Sequence, residues 1–193
     1  MVASINIRIN MKKLLTIFAI LFTTSIFSQT TINPDTVCVG AVGENYWVTN
    51  TVGSTYNWTI NSGGGVITSG QGTDQISVDW GNVPGLFPIA MTVIETNSAG
   101  CTDTVELDIF ILLPGYIQIG PFCEGDPCVA LVGTPTGGTW SGVGVVAVGG
   151  GFEFCPTISG VGTFNLTYTF DGCSIVMQAV VNPSPTLGPI IHN

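Results

Sequence analysis

Beyond residue 13 the chain has no lysine or arginine. Its three basic residues are Arg8, Lys12 and Lys13, and all twelve carboxylates follow them. Nucleic acid is excluded as a partner, because neutralising phosphates takes Lys or Arg. Docking on an anionic membrane surface is disfavoured for the same reason. Intramolecular salt bridges have no cation to use, so stability must come from apolar burial, backbone ladders and cross-links. Histidine is also scarce: His192 stands alone, near the C-terminus. A serine triad or a catalytic cysteine needs a base at hand, and none is near. No stretch after the N-terminal segment reaches the ~18 consecutive apolar residues of a membrane span.

What the sequence does have is glycine (26 residues), six cysteines and many short apolar runs. Such runs between Gly-rich turns predict an all-β chain. The clearest case is residues 85–111. Ile89, Met91 and Val93 alternate with Ala90, Thr92 and Ile94, and Val105, Leu107, Ile109 and Ile111 alternate with Glu106 and Asp108. Period two marks half-buried strands, and Asn97-Ser98-Ala99-Gly100 supplies the turn between them. A second copy runs over residues 162–181, where Phe164, Leu166, Tyr168 and Phe170 share a face and Gly172-Cys173 closes the turn. The reading is two tandem β-sandwich domains, 36–112 and 116–182, joined at Leu113-Pro114-Gly115. A Pro-rich tail with Pro183, Pro185 and Pro189 spans 183–193.

Met11-Lys12-Lys13, an apolar run over 14–22 and a polar end at Ser28-Gln29 have the three parts of a secretory signal. Residues 1–29 are therefore expected to be a signal peptide, with 1–10 an upstream extension from a misplaced start. The expected location is outside the cell or on its surface, or in the periplasm, with no membrane insertion once the signal is removed. Six cysteines in an exported chain imply a disulfide framework, with 15 possible pairings. Domain logic favours Cys38–Cys101, Cys123–Cys173 and Cys128–Cys155, each within one sandwich. Tyr56, Trp58 and Ile60 share one strand face, which makes Trp58 a core residue. Trp140, on the short strand Gly137-Gly138-Thr139-Trp140-Ser141-Gly142, is its counterpart.

Several of these segments carry a family resemblance. They are Tyr56-Asn57-Trp58, Ile76-Ser77-Val78-Asp79-Trp80-Gly81 and Asn97-Ser98-Ala99-Gly100-Cys101 in the first half. In the second they are Gly137–Gly142, Phe154-Cys155-Pro156 and Gly160-Val161-Gly162-Thr163. Over residues 36–182 the chain resembles the PKD-like and immunoglobulin-like repeats in surface proteins of the Bacteroidetes. That resemblance implies modules of adhesins, gliding-associated proteins or spacers. The family's secreted members carry a C-terminal sorting domain that has no counterpart after Asn182.

Few residues suggest chemistry. Gly142-Val143-Gly144-Val145-Val146-Ala147 fits G-x-G-x-x-A, but Gly149-Gly150-Gly151 follows where a phosphate-binding helix should start. Asp74 with Asp79, or Glu124 with Asp126, are candidate Ca²⁺ ligands. Trp47 and Tyr116, with Trp140, are the candidate aromatic platform for a sugar. Asp35-Thr36-Val37 and Asp103-Thr104-Val105 fit a short O-glycan acceptor pattern at Thr36 and Thr104. No cofactor is expected. The function expected is a non-catalytic adhesion or structural module whose partners are a protein or glycan on a surface, or other copies of itself. The alternatives are a carbohydrate-binding accessory module and a fibre subunit that adds strands through its terminal segments.

Overall fold

The alternating segments form strands throughout the part of the chain that the computed structural model describes, residues 33–192. The export signal expected over 1–29 lies outside those residues. The first half contains β1 (Asp35–Cys38), β2 (Glu44–Trp47), β3 (Thr55–Ile60), β4 (Val66–Ser69), β5 (Gln75–Asp79), β6 (Gly85–Thr96) and β7 (Thr102–Leu112). The second half contains β8 (Gly115–Tyr116), β9 (Phe122–Cys123), β10 (Val129–Ala130), β11 (Gly133–Thr134) and β12 (Thr139–Ser141). It continues with β13 (Val145–Val148), β14 (Gly151–Phe154), the helical turn α1 (Pro156–Ser159), β15 (Gly162–Phe170) and β16 (Cys173–Asn182). Among the described residues no helix is long and apolar enough to cross a membrane.

In the first half a four-stranded sheet, β1-β7-β6-β3, and a three-stranded sheet, β2-β5-β4, share one core. Tyr56, Trp58, Val93, Ile109 and Ile111 enter it from one sheet, and Ile76 and Val78 from the other. The second half repeats the order strand for strand: β12-β15-β16-β9 opposes β10-β14-β13, with β8 and β11 added as a small ribbon. Its core joins Trp140, Leu166, Tyr168, Met177 and Val181 to Phe154. The chain is all-β, and each half is a sandwich of the immunoglobulin kind, in which alternating inward residues of two sheets fill a common interior. Only Leu113 and Pro114 lie between β7 and β8, and Pro114 is buried.

In each half one early strand, β1 or β9, runs parallel to the last. Cys38 is level with Leu112 at the end of β7, and Cys123 is level with Asn182 at the end of β16. The next backbone amide repeats the match: Val39 N–H donates to Leu112 O at 3.0 Å, and Glu124 N–H to Asn182 O at 3.0 Å. Each sandwich therefore has an exit pole, where β1 and β7, or β9 and β16, both finish. The opposite pole carries the turn that opens the last strand.

One alternation is broken. Alternation places Ile89 on the face of Met91 and Val93, but Ile89 is 44% exposed, and Ala90 is buried beside Met91 instead. The register jumps from Phe87↔Ile109 to Met91↔Leu107, so Pro88, Ile89 and Ala90 oppose Asp108 alone. Pro88 has no N–H to give the ladder. Ile89 takes a φ of 48°, and its amide donates to Asp108 Oδ1 at 2.7 Å.

Candidate functional site

The glycine-rich G-x-G-x-x-A segment opens β13, not a helix, so no helix N-terminus faces it. Asp74 and Asp79 cannot share a cation. Five residues of nearly extended chain separate them, about 17 Å at ~3.4 Å per residue, and Asp79 Oδ1 instead accepts the amide of Gly43 at 2.8 Å. Asp126 is likewise committed to its own turn: Oδ2 accepts Cys123 N–H at 2.7 Å, and its amide donates to Cys123 O at 3.0 Å. Among the described residues, one trio of metal-ligating types converges: Cys128, Glu153 and Cys155. Both of its sulfurs belong to a disulfide, which leaves a single carboxylate.

The aromatic platform does not assemble. Trp140 is buried at 5% exposure between Tyr168 (centroids 5.1 Å apart) and Tyr116, which meets it edge-on at 6.5 Å. Tyr116 thus packs on the second core. Trp47, 60% exposed, sits on β2 of the first half. Trp58 is 4% exposed, and its Nε1 donates to Thr73 O at 2.8 Å. Thr36 is half-buried in the β1–β7 ladder, whereas Thr104 is exposed on β7.

Two polar devices gave no sequence signal. The side-chain amide of Gln71 receives Trp58 N–H at 3.1 Å and donates to Trp58 O at 2.8 Å. It acts as one residue of an extra strand on the open edge of β3, the kind of cover that blocks edge-to-edge pairing. Trp80 Nε1 donates to Tyr46 Oη (2.9 Å), which donates to Asp35 Oδ2 (3.1 Å). Burial and the Asp35 carboxylate push the Tyr46 phenol well above its ordinary value.

The cysteines give the largest correction. Cys128 is bridged to Cys155, but Cys38 is bridged to Cys173, across the two halves. Cys101 and Cys123 are free and exposed. The expected Cys38–Cys101 and Cys123–Cys173 bonds fail on distance. Cys38 is level with the end of β7, and Cys101 precedes its start; the eleven residues of β7 put them about 35 Å apart at ~3.4 Å per residue. The ten residues of β16 separate Cys123 from Cys173 by about 30 Å on the same scale. A disulfide needs Cα atoms within roughly 7 Å, and Cys38 and Cys173 meet that at 5.4 Å. The signal was in the sequence: a cysteine just after a hairpin turn lies a full strand away from one at the exit pole.

Both free thiols sit on well-built turns. Asn97 Oδ1 accepts the amides of Ala99 (2.9 Å) and Cys101 (3.0 Å), and Asn97 N–H donates to Cys101 O at 3.0 Å. Cys123 is held by Asp126, as above, and by its place in the β9–β16 ladder.

Residues 25–109 match the family model of the PKD-like domain. No curated protein matches the sequence. Among solved structures, the chain is similar to the insect immune protein hemolin, at 13% identity and a TM-score of 0.38. That match covers 81% of this chain and 46% of the other. It is also similar to the I67-I69 fragment from the titin I-band (15%, TM-score 0.34, 78% and 63%) and to Sidekick-1 immunoglobulin domains 1-4 (10%, TM-score 0.35, 79% and 47%). The chain thus spans about half to two thirds of the length of these structures.

Proposed function

We propose that this protein is a non-catalytic, exported adhesion or structural module built from two immunoglobulin-like repeats, over 36–112 and 116–182. Its partner is a protein on a surface. The observation that carries the reading is the Cys38–Cys173 bond. It joins two sandwiches that each have a complete core, and it lies where the exit pole of the first meets the turn pole of the second. A bond placed there defines the junction between repeats, joining a half-buried Cys38 to a buried Cys173. Two disulfides and the three-part N-terminal segment support an oxidising compartment. The test is turnover: purified protein is offered polysaccharides and peptides and is expected to release no product. Hydrolysis that disappears in Asp108→Asn or Glu124→Gln would overturn the reading.

A fibre subunit that assembles by strand addition is the second reading, favoured by the tail. Residues 183–192 have no regular structure, and Leu187, Ile190 and Ile191 are almost wholly exposed there. An extended apolar segment can add to an open sheet edge. Deleting 183–193 is expected to abolish such assembly; a monomeric mass at high concentration, unchanged by the deletion, would remove this reading.

A further inference from the structure

The two halves are copies of one plan, so their cysteines can be matched place for place. Cys38 ends β1 and Cys123 ends β9, and each is paired with the last residue of the closing strand that runs parallel to it. Cys101 and Cys173 each follow a turn glycine with φ near +80° (Gly100 at 84°, Gly172 at 78°), Cys101 immediately before the closing strand β7 and Cys173 as the first residue of the closing strand β16. The bond inside the chain joins the exit-pole cysteine of one repeat to the turn-pole cysteine of the next. Among the described residues the same rule gives Cys123 no turn-pole partner and Cys101 no exit-pole partner. These are the two exposed thiols, and no cysteine precedes Cys38 in the sequence.

We infer that Cys123 of one molecule forms a disulfide with Cys101 of a second copy, extending the internal repeat junction into a head-to-tail covalent chain. The two thiols lie at opposite poles of different repeats, so the contact is heterologous. A heterologous contact leaves a donor pole and an acceptor pole free at the ends and propagates. The inference rests on the tandem-repeat reading above and supplies its partner, a second copy. Closure consumes one small-molecule disulfide. The Cys123 thiolate first attacks oxidised glutathione, forming a mixed disulfide and releasing one glutathione thiolate. The Cys101 thiolate of the next copy then attacks the Cys123 sulfur and expels the second. Two protein thiols and one oxidised glutathione become one protein disulfide and two glutathione thiols, and the two protons pass to the glutathione.

The test uses purified protein with its two internal bonds intact, incubated with oxidised and reduced glutathione and resolved on denaturing gels without reductant. A ladder of covalent multiples is expected, collapsing to monomer on reduction. Peptide mapping should find Cys101 joined to Cys123, with Cys38–Cys173 preserved. Cys101→Ser alone and Cys123→Ser alone should each lose the ladder completely. An equimolar mixture of the two should give one product of twice the monomer mass and nothing larger. A monomeric wild type, symmetric Cys101–Cys101 or Cys123–Cys123 dimers, an intramolecular Cys101–Cys123 bond, or exchange to Cys38–Cys101 would each overturn the inference. Assembly through the apolar tail is separable, because reductant does not dissolve it. Catalytic turnover, which would sink the module reading, is not measured by the gel.

Discussion

The two sandwiches share a strand order but are held together differently. The first has a three-stranded sheet of strands four to five residues long and a core that includes Tyr56, Trp58, Ile76, Val78 and Trp80, and it has no disulfide of its own. In the corresponding sheet of the second half, β10 has only two residues, beside β13 and β14 with four each. Cys128 and Cys155 flank the β10–β14 pair there, next to the Val129↔Phe154 rung. A small core gains little from burial alone, and small exported domains make up the difference with cross-links. The same fold thus reaches stability by apolar area in one half and by a staple in the other. Among the described residues there is no lysine or arginine, so none of the carboxylates there has such a partner within the two halves.

The largest effects should come from the strand-centre tryptophans. Trp58→Ala and Trp140→Ala are each expected to cost about 3–5 kcal/mol, the usual range for deleting a buried indole. Hydrogen exchange should show the loss confined to the half that carries the mutation; loss spreading equally to both halves would break the comparison. Gly138→Ala belongs in the same class, because a Cβ there would lie 2.5 Å from Tyr168 Cζ and 2.4 Å from Thr169 O. Next comes the staple. Replacing Cys128 and Cys155 together by Ser opens a loop of sequence separation 27 and should destabilise the second half by about 3.5 kcal/mol in the chain-entropy model. Denaturant unfolding should then show the second half melting first. Gln71→Ala is smaller. It leaves two backbone groups of Trp58 to water and should cost the first half roughly 1–2 kcal/mol, at about 1 kcal/mol per hydrogen bond.

The smallest effect is an alkaline one, again in the first half alone. The Tyr46 phenol is raised by burial and by Asp35, so between its unfolded and folded values the native state holds more protons than the unfolded one. Stability from this group is complete below about pH 10, the unfolded phenol's value, and falls as pH rises beyond it. Tyr46→Phe should flatten that slope in a pH series of melting curves, with the second half unaffected.

Local pattern carried most of the fold. Alternation over 85–111 and 162–181 located the two longest hairpins, and the turn residues Asn97–Gly100 and Asp171-Gly172 sit between their strands. It failed where a neighbour sets the outcome. Ile89 points outward because Pro88 cannot join the ladder, and the bulge shifts the phase for the residues around it. Gln71 and the Trp80–Tyr46–Asp35 chain depend on partners 11 to 34 residues away, and no periodicity encodes those. Pairing by domain fails for a geometric reason: a sandwich has two ends, and strand length keeps the cysteines of one domain apart.

The Cys38–Cys173 bond also fixes how the protein would answer to pulling. Residues 39–172 lie inside a covalent loop of sequence separation 135. Tension applied between the segment before Cys38 and the segment after Cys173 crosses the sulfur–sulfur bond and bypasses nearly everything between. Under such a load β1 and β16 are the strands exposed to shear, and stretching should yield only the residues outside the loop. Reduction would release the rest, turning a short, inextensible tether into a long one.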